Sequence, residues 1–340
     1  MESLEVSAVS RSPGPESLQL RPGTIAEPSA GQARVRIEAA GVSYGDLLFQ
    51  RGVVPGGPKP PFTPGCDLTG VVESVGAGVT SVRPGERVTA LVASGGYSTV
   101  ANVPAERLVA VPSGLDPIRV AAVVLNYFIA HQMLHQVAGV VSGQRILVHG
   151  ASGGVGVAFL QLADRIGGVT TWGTASAGNF ELVQDNGAIP INYRDTDFVR
   201  VLRAAGGNLD AVFDHIGGTQ FWKSYSLLRR GGSLVAYGQN AALRGGRPNM
   251  VIGAVGFLGG IAAPKLLPDG RRTVFYNAWL LDKTQPDAYR TDMNTVLTLL
   301  AEDKIAPKSI TALPLQQANK AFRLLEDGAG GKLVLDCAQA

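Results

Sequence analysis

Arg145-Ile146-Leu147-Val148-His149-Gly150-Ala151-Ser152-Gly153-Gly154-Val155-Gly156 decides how the rest of the chain is read. A short apolar strand runs into a glycine-rich turn, and the turn opens an amphipathic helical stretch, Val155–Ile166. Ala151, Gly153 and Gly156 occupy the three small positions of a G-x-G-x-x-G fingerprint. Gly153 lets backbone approach a pyrophosphate, and Gly156 lets the helix pack closely on the strand. The helix N-terminus adds free N–H groups and the positive end of its dipole. A lone glycine motif is also compatible with an ordinary tight turn. The strand–turn–helix setting favours a dinucleotide site, with Ser152, Gly153, Gly154, Val155 and Gly156 around the pyrophosphate.

The second strand bears on which dinucleotide is bound. An NAD site places Asp or Glu about 20 residues beyond the turn. Here the sequence is Thr171-Trp172-Gly173-Thr174-Ala175-Ser176-Ala177-Gly178-Asn179, with no carboxylate. Small hydroxyls leave room for a 2′-phosphate, so NADPH is the expected cofactor. No Arg or Lys lies in that stretch, which keeps a dual-specific or weak site as the alternative.

Outward from this unit, apolar segments alternate with helical ones: Val169–Trp172, Phe180–Asn186, Ala211–Asp214 and Ser233–Ala236. That alternation predicts a parallel sheet with helices on both faces. Ile118–Gln136 reads as one long helix, Tyr289–Glu302 and Ala318–Glu326 as further helices, and Lys332–Leu335 as a closing strand. Residues 1 to about 120 differ. Ala33–Ala39, Gly70–Gly76 and Glu86–Val92 read as strands, and the stretch from Pro55 to Pro64, with five prolines and two glycines, reads as a surface loop.

With 340 residues, two domains are expected. Thirty basic and 27 acidic side chains give a net charge of +3, and only 17% of residues are charged, which excludes a basic nucleic-acid binder and an acidic tail. Glycine is the outlier, at 44 residues against a usual share of about 7%. Cys66 and Cys337 cannot build a disulfide framework. Met1–Ser10 has neither the basic nor the apolar region of a signal peptide. The longest uncharged apolar run, Met250–Ala263, has 14 residues, short of the about 20 that cross a bilayer. A cytoplasmic protein without stable membrane insertion is expected. The stretch Met250–Leu267 with Lys265, Arg271 and Arg272 behind it reads as a lid over an apolar pocket. A dimer contact, a buried connector or a membrane-surface contact is the alternative.

Together with the glycine turn, several segments resemble the medium-chain dehydrogenase/reductase superfamily, in its zinc-free quinone-oxidoreductase branch. They are Ala40–Asp46, Pro61–Gly70, Val82–Val88, the pair Asn126-Tyr127, Ala211–Asp214 before Gly217-Gly218, and Gly331–Leu335. The resemblance covers nearly the whole chain. It implies an α/β protein with a GroES-like β-rich catalytic domain, residues 1–120 completed by 268–340, and a Rossmann doubly wound domain, residues 121–267. It further implies a cofactor held in the cleft between domains, a homodimer, and hydride transfer from NADPH to a quinone or an α,β-unsaturated carbonyl.

Residue by residue, the resemblance places Ser43, Asn126 and Ile129 near the nicotinamide, and Thr174, Ser176, Asn179 and Tyr193 around the adenosine phosphate. Ile216 and Tyr237 complete the cofactor set. Tyr44 and Tyr127 are the phenols able to donate to a carbonyl oxygen, with a backbone partner as the alternative for each. Asp46 joins them as the residue holding the loop beneath the substrate. Zinc members carry Cys where this chain has Ser43 and a His-Glu pair where it has Cys66-Asp67, so no metal is expected. His131 and His135, four residues apart on one helix, have no carboxylate motif beside them and are read as cap or surface residues.

Three positions depart from the branch. Ser43 replaces Asn, Val54 replaces Tyr and Ile129 replaces Thr, each removing a polar group near the reacting carbon; Asn179 replaces a Lys of the phosphate clamp. Substrate tuning within an ordinary reductase is the leading reading. Two others remain: a natural-product tailoring enzyme that uses the scaffold for a cyclisation or other non-redox step, and a non-catalytic NADPH-binding sensor.

Overall fold

The computed structural model describes residues 1–10, 17–52, 54, 56–243, 249–278, 286–307, 309–328 and 331–339. Pro55, at the head of the expected proline-rich loop, lies outside the described residues. The chain divides into two compact units, Met1–Phe128 with Arg290–Ala340, and Ile129–Tyr289.

The first unit is built on β-structure. An antiparallel ribbon joins β1 (Glu2–Ala8) to β2 (Leu18–Thr24). The main sheet comprises β3 (Gln32–Gly41), β4 (Asp67–Val75), β5 (Arg87–Leu91), β6 (Val100–Pro104) and β7 (Val109–Ala110). From the C-terminal segment come β14 (Ile310–Pro314) and β15 (Lys332–Asp336). Their order is β14-β15-β3-β4-β5-β7, with β6 also paired to β3. Alternation puts Ala33, Val35 and Ile37 of β3 in the core beside Leu68 and Val72 of β4. Because β15 pairs antiparallel with β3, the end of the chain completes the sheet begun near its start. Helix α1 (Tyr44–Gln50) follows β3, and α2 (Pro117–His131) follows β7.

In the second unit six strands run parallel in the order β10-β9-β8-β11-β12-β13. They are β8 (Arg145–Val148), β9 (Thr170–Ala175), β10 (Ile189–Asn192), β11 (Leu209–Asp214), β12 (Leu228–Ala236) and β13 (Arg272–Phe275). Helices α3 (Gly154–Ile166), α4 (Phe180–Asp185), α5 (Phe198–Ala204) and α6 (Gln220–Tyr225) connect them. The chain steps outward from β8 through β9 to β10, then returns to lay β11 on the other side of β8. That reversal makes the carboxyl ends of β8 and β11 the topological switch point, the place where open α/β sheets bind ligands.

Two boundaries differ from expectation. The chain does not return to the first unit at residue 268, because β13 is the edge strand of the parallel sheet, in register with Ser233–Ala236. The return follows Tyr289, at helix α8 (Pro286–Ala301). The other division, expected at residue 120, falls inside α2 at Phe128. The helix expected over Ile118–Gln136 also changes character. It is regular to His131, then widens into a π turn over Gln132–Ala138 that ends at left-handed Gly139 (φ 66°). The combined helix, Pro117–Ala138, is long and apolar enough to span a bilayer, but 61% of its apolar window is buried inside the protein.

Met250–Leu267 forms α7 (Met250–Phe257) and two short turns. Gly260 and Ile261 anchor it: a Cβ on Gly260 would stand 2.5 Å from Phe221 Cβ, and Thr273 Oγ1 donates to Ile261 O at 2.6 Å. The opposite face presents Val251, Val255 and Leu258 at 71%, 64% and 62% exposure.

Candidate dinucleotide site and the capped loop before α1

The turn between β8 and α3 is shaped by contacts that admit no side chain. Gly150 has φ +64°, and a Cβ there would lie 2.4 Å from His215 Cε1. A Cβ on Gly156 would lie 2.2 Å from Gly150 O, and one on Gly173 would lie 2.6 Å from Ala151 Cβ. Helix and turn therefore touch backbone to backbone at Gly156, and β9 packs on the Ala151 methyl. Gly153 is the N-cap of α3, so no side chain satisfies the helix's first N–H groups, and Gly153 and Gly154 are exposed. An uncapped, exposed N-terminus with the positive end of the helix dipole suits an anion.

Beside the turn, the ends of β9 and β10 carry the residues expected around the adenosine phosphate. Asn179 Nδ2 donates to Ser176 Oγ at 3.1 Å, and Tyr193 N donates to Ala175 O at 3.3 Å. Tyr193 is 55% exposed, with the guanidinium carbon of Arg194 5.9 Å from its ring centre. Arg194 is a cation that the reading of β9 alone passes over, because it follows β10. Thr174 does not share this exposed rim. It is 3% exposed, and its hydroxyl oxygen accepts Gly150 N–H at 3.0 Å. The expectation that its hydroxyl surrounds the phosphate is corrected: the side chain points into the turn.

Beyond β11, Asp214 Oδ1 accepts the N–H of Ile216 at 2.8 Å and of Gly217 at 3.2 Å, which fixes the backbone at Ile216. Tyr237, after β12, forms a ring cluster with Phe159 and His215. Burial pushes His215 down to about 4, against the partly offsetting charge of Asp214. The second histidine of this region, His149, is likewise held below its ordinary value by burial. Both rings are neutral near pH 7. Sequence reasoning gave His149, Asp214 and Ser224 no role, because the hydrogen bonds that join them span 10 and 75 residues.

In the first unit, Ser43 and Asp46 form a capping box at the start of α1. Ser43 Oγ donates to Asp46 Oδ2 at 2.6 Å, and Tyr97 OH donates to the same oxygen at 2.9 Å. Gly65 N–H donates to Asp46 Oδ1 at 3.1 Å. Asp46 is buried and holds the Gly65 loop to α1, so its place is in the scaffold, not at a reacting atom. Next along, burial raises the Cys66 thiol well above its usual range, with the Asp46 charge adding to the effect. Burial also raises Asp67 to about 7, opposed by Lys332.

Of the two phenols, Tyr127 OH donates to Ala306 O at 2.9 Å, the backbone partner that was its alternative reading. Tyr44, at the first position of α1, is 37% exposed. Asn126 is buried and Ile129 half-buried on the helix that carries Tyr127. The rings of His131 and His135 lie tilted at 48° with their centres 4.4 Å apart. Among the described residues, no group of three His, Cys, Asp or Glu side chains is arranged to hold a metal ion.

Comparison with known proteins agrees with this architecture. Residues 29–113 match the alcohol dehydrogenase GroES-like domain, and residues 187–335 match the zinc-binding dehydrogenase domain. Synaptic vesicle membrane protein VAT-1 homologues are 33% identical in Danio rerio and 32% in Rattus norvegicus, each over 94% of this chain. The chain spans 66% of the first and 80% of the second. The crystal structure of Escherichia coli quinone oxidoreductase complexed with NADPH superposes with a TM-score of 0.83 at 26% identity, covering 98% of this chain and 99% of that one. A GroES-like domain joined to a parallel-sheet dinucleotide fold defines a dehydrogenase/reductase architecture. The chain belongs to the medium-chain dehydrogenase/reductase superfamily, in its quinone-oxidoreductase-like branch.

Proposed function

We propose that this chain is an NADPH-dependent reductase that delivers hydride, without zinc, to a quinone or to the β-carbon of an apolar α,β-unsaturated carbonyl. The observation that carries the proposal is the turn from Gly150 to Gly156: an uncapped helix N-terminus whose close packing leaves no room for a side chain at Gly150 or Gly156. Such a turn fits a pyrophosphate. Ser152, Gly153, Gly154 and Val155 are the residues that would hold it. Ser176, Asn179 and Tyr193 would face the 2′-phosphate, with Arg194 supplying the positive charge absent from β9.

When bound, NADPH supplies a hydride, and the protein's part is to orient the acceptor and stabilise the charge that develops on its oxygen. Tyr44 is the phenol assigned to that oxygen, since the Tyr127 hydroxyl is engaged with Ala306. Its partial burial raises its pKa above the ordinary value, so it stays protonated and able to donate near pH 7. Zinc independence is supported by the donor set: the Ser43 hydroxyl is committed to Asp46, and the Cys66 thiol is held protonated. A homodimeric, cytoplasmic enzyme goes with this reading on family grounds alone. The test is NADPH oxidation by purified protein with a panel of quinones and enones, repeated after chelator treatment. Turnover that survives chelation supports the proposal, and tight NADPH binding without turnover counts against it.

A further inference from the structure

A chain of buried polar groups runs beneath the glycine turn and has a single consistent direction. Asp214, Ser224, His149 and Thr174 are each at most 3% exposed. Ser224 Oγ donates to Asp214 Oδ2 at 2.7 Å, because the carboxylate only accepts. With its proton so used, Ser224 Oγ must accept from His149 Nε2, 3.1 Å away. His149 is neutral, so its Nδ1 carries no proton and accepts from Thr174 Oγ1 at 3.2 Å. Thr174 Oγ1 in turn accepts Gly150 N–H at 3.0 Å, while its own carbonyl accepts Ala151 N–H at 2.9 Å.

The three residue types of a hydrolytic triad are present, but the connectivity is different. The carboxylate accepts the serine proton and acts on the imidazole through that serine, with Asp214 Oδ2 3.8 Å from His149 Nε2, and all three groups lie out of solvent. No nucleophile is produced. The chain delivers an oriented hydroxyl oxygen to the first amide of the turn.

We propose that His149 is a positioning residue for the phosphate turn: its Nε2–H tautomer, fixed by Ser224 and Asp214, orients Thr174 so that the Gly150–Ala151 backbone is held in place for the pyrophosphate. The inference rests on the dinucleotide reading of the turn. It assigns Thr174 to both NADPH and NADH equally, because the pyrophosphate is common to them, and removes Thr174 from the choice between them.

The first test needs no variant. Long-range ¹H–¹⁵N spectra of the wild-type protein are expected to show His149 as the Nε2–H tautomer near pH 7; an Nδ1–H tautomer overturns the proposal. The second test compares Thr174→Val with Thr174→Ser. Loss of one buried acceptor is expected to weaken NADPH and NADH by the same factor, about tenfold, and to speed exchange of the Gly150 amide. The serine variant is expected to remain within about threefold of wild type. Weakening of NADPH alone would mean direct phosphate contact and overturn the proposal. So would a lowered melting temperature with unchanged affinities. If wild-type protein binds neither dinucleotide, the reading of the turn fails, and the tautomer and the Gly150 exchange rate still decide whether His149 orients Thr174.

Discussion

The carbonyl oxygen of Gly150 and the α-carbon of Gly156 approach so closely that a Cβ on Gly156 would stand 2.2 Å from that oxygen. Backbone cannot swing aside as a flexible side chain can, so the turn or the helix must move. Gly156→Ala is expected to destabilise the second unit by about 2 kcal/mol, as overpacking against rigid neighbours does. Dinucleotide binding is expected to be lost with it. Thermal unfolding and a fluorescence titration with NADPH check both, and an alanine variant with wild-type affinity would contradict the close-packed turn.

Arg194 lies over the exposed ring of Tyr193 and is the cation assigned to the 2′-phosphate. Arg194→Ala is expected to weaken NADPH about tenfold, which is about 1.4 kcal/mol, while leaving NADH within about twofold. The ratio of the two dissociation constants reads this directly. Equal weakening of both would place Arg194 away from the phosphate.

These two predictions show how unevenly function can be read along the chain. The turn is legible because its chemistry is local: a strand, three small residues and a helix start within twelve positions. The return of β15 to β3 is legible only through family likeness, since Lys332–Asp336 alone is just another apolar strand. β13 is not legible as part of the parallel sheet. Four residues after Pro-Asp-Gly-Arg carry no pattern, and only pairing with β12 assigns them there. His149 is beyond sequence reasoning for the same reason, because its partners Thr174 and Ser224 lie 25 and 75 residues away. Thr174 is misread because strand-end hydroxyls look alike until burial separates the one that points inward.

The two phenols separate by what their oxygens touch. Tyr127→Phe removes a hydroxyl that donates to Ala306 O, so it is expected to lower stability by about 1 kcal/mol and leave turnover nearly unchanged. Tyr44→Phe is expected to lower kcat/KM for a quinone by at least about tenfold, within the range of a lost proton donor, without a comparable fall in melting temperature. Steady-state kinetics and thermal unfolding of both variants check the pair. The reverse ranking would move the donor role to Tyr127.

Acidification acts with opposite sign in the two units. His215 is depressed from 6.5 to about 4, so the stability it confers is present above about pH 6.5 and is lost as pH falls towards 4. His149 is shifted in the same direction. Asp67, raised from 3.8 to about 7, contributes most at low pH, and that contribution is lost as pH rises through 7. Between about pH 7 and pH 5, amide exchange protection in β8 and β11 is therefore expected to fall relative to that in β3 and β4. Parallel changes in both sheets would contradict these assignments.

Hydride delivery from NADPH is the claim on which the functional account stands, and NADPH consumption in the presence of a quinone measures it most directly. With purified, chelator-treated protein, the account predicts NADPH oxidation that saturates with quinone, matches quinone reduction mole for mole, and falls sharply in Gly156→Ala. Saturable NADPH binding with no consumption across quinones and α,β-unsaturated carbonyls would contradict it.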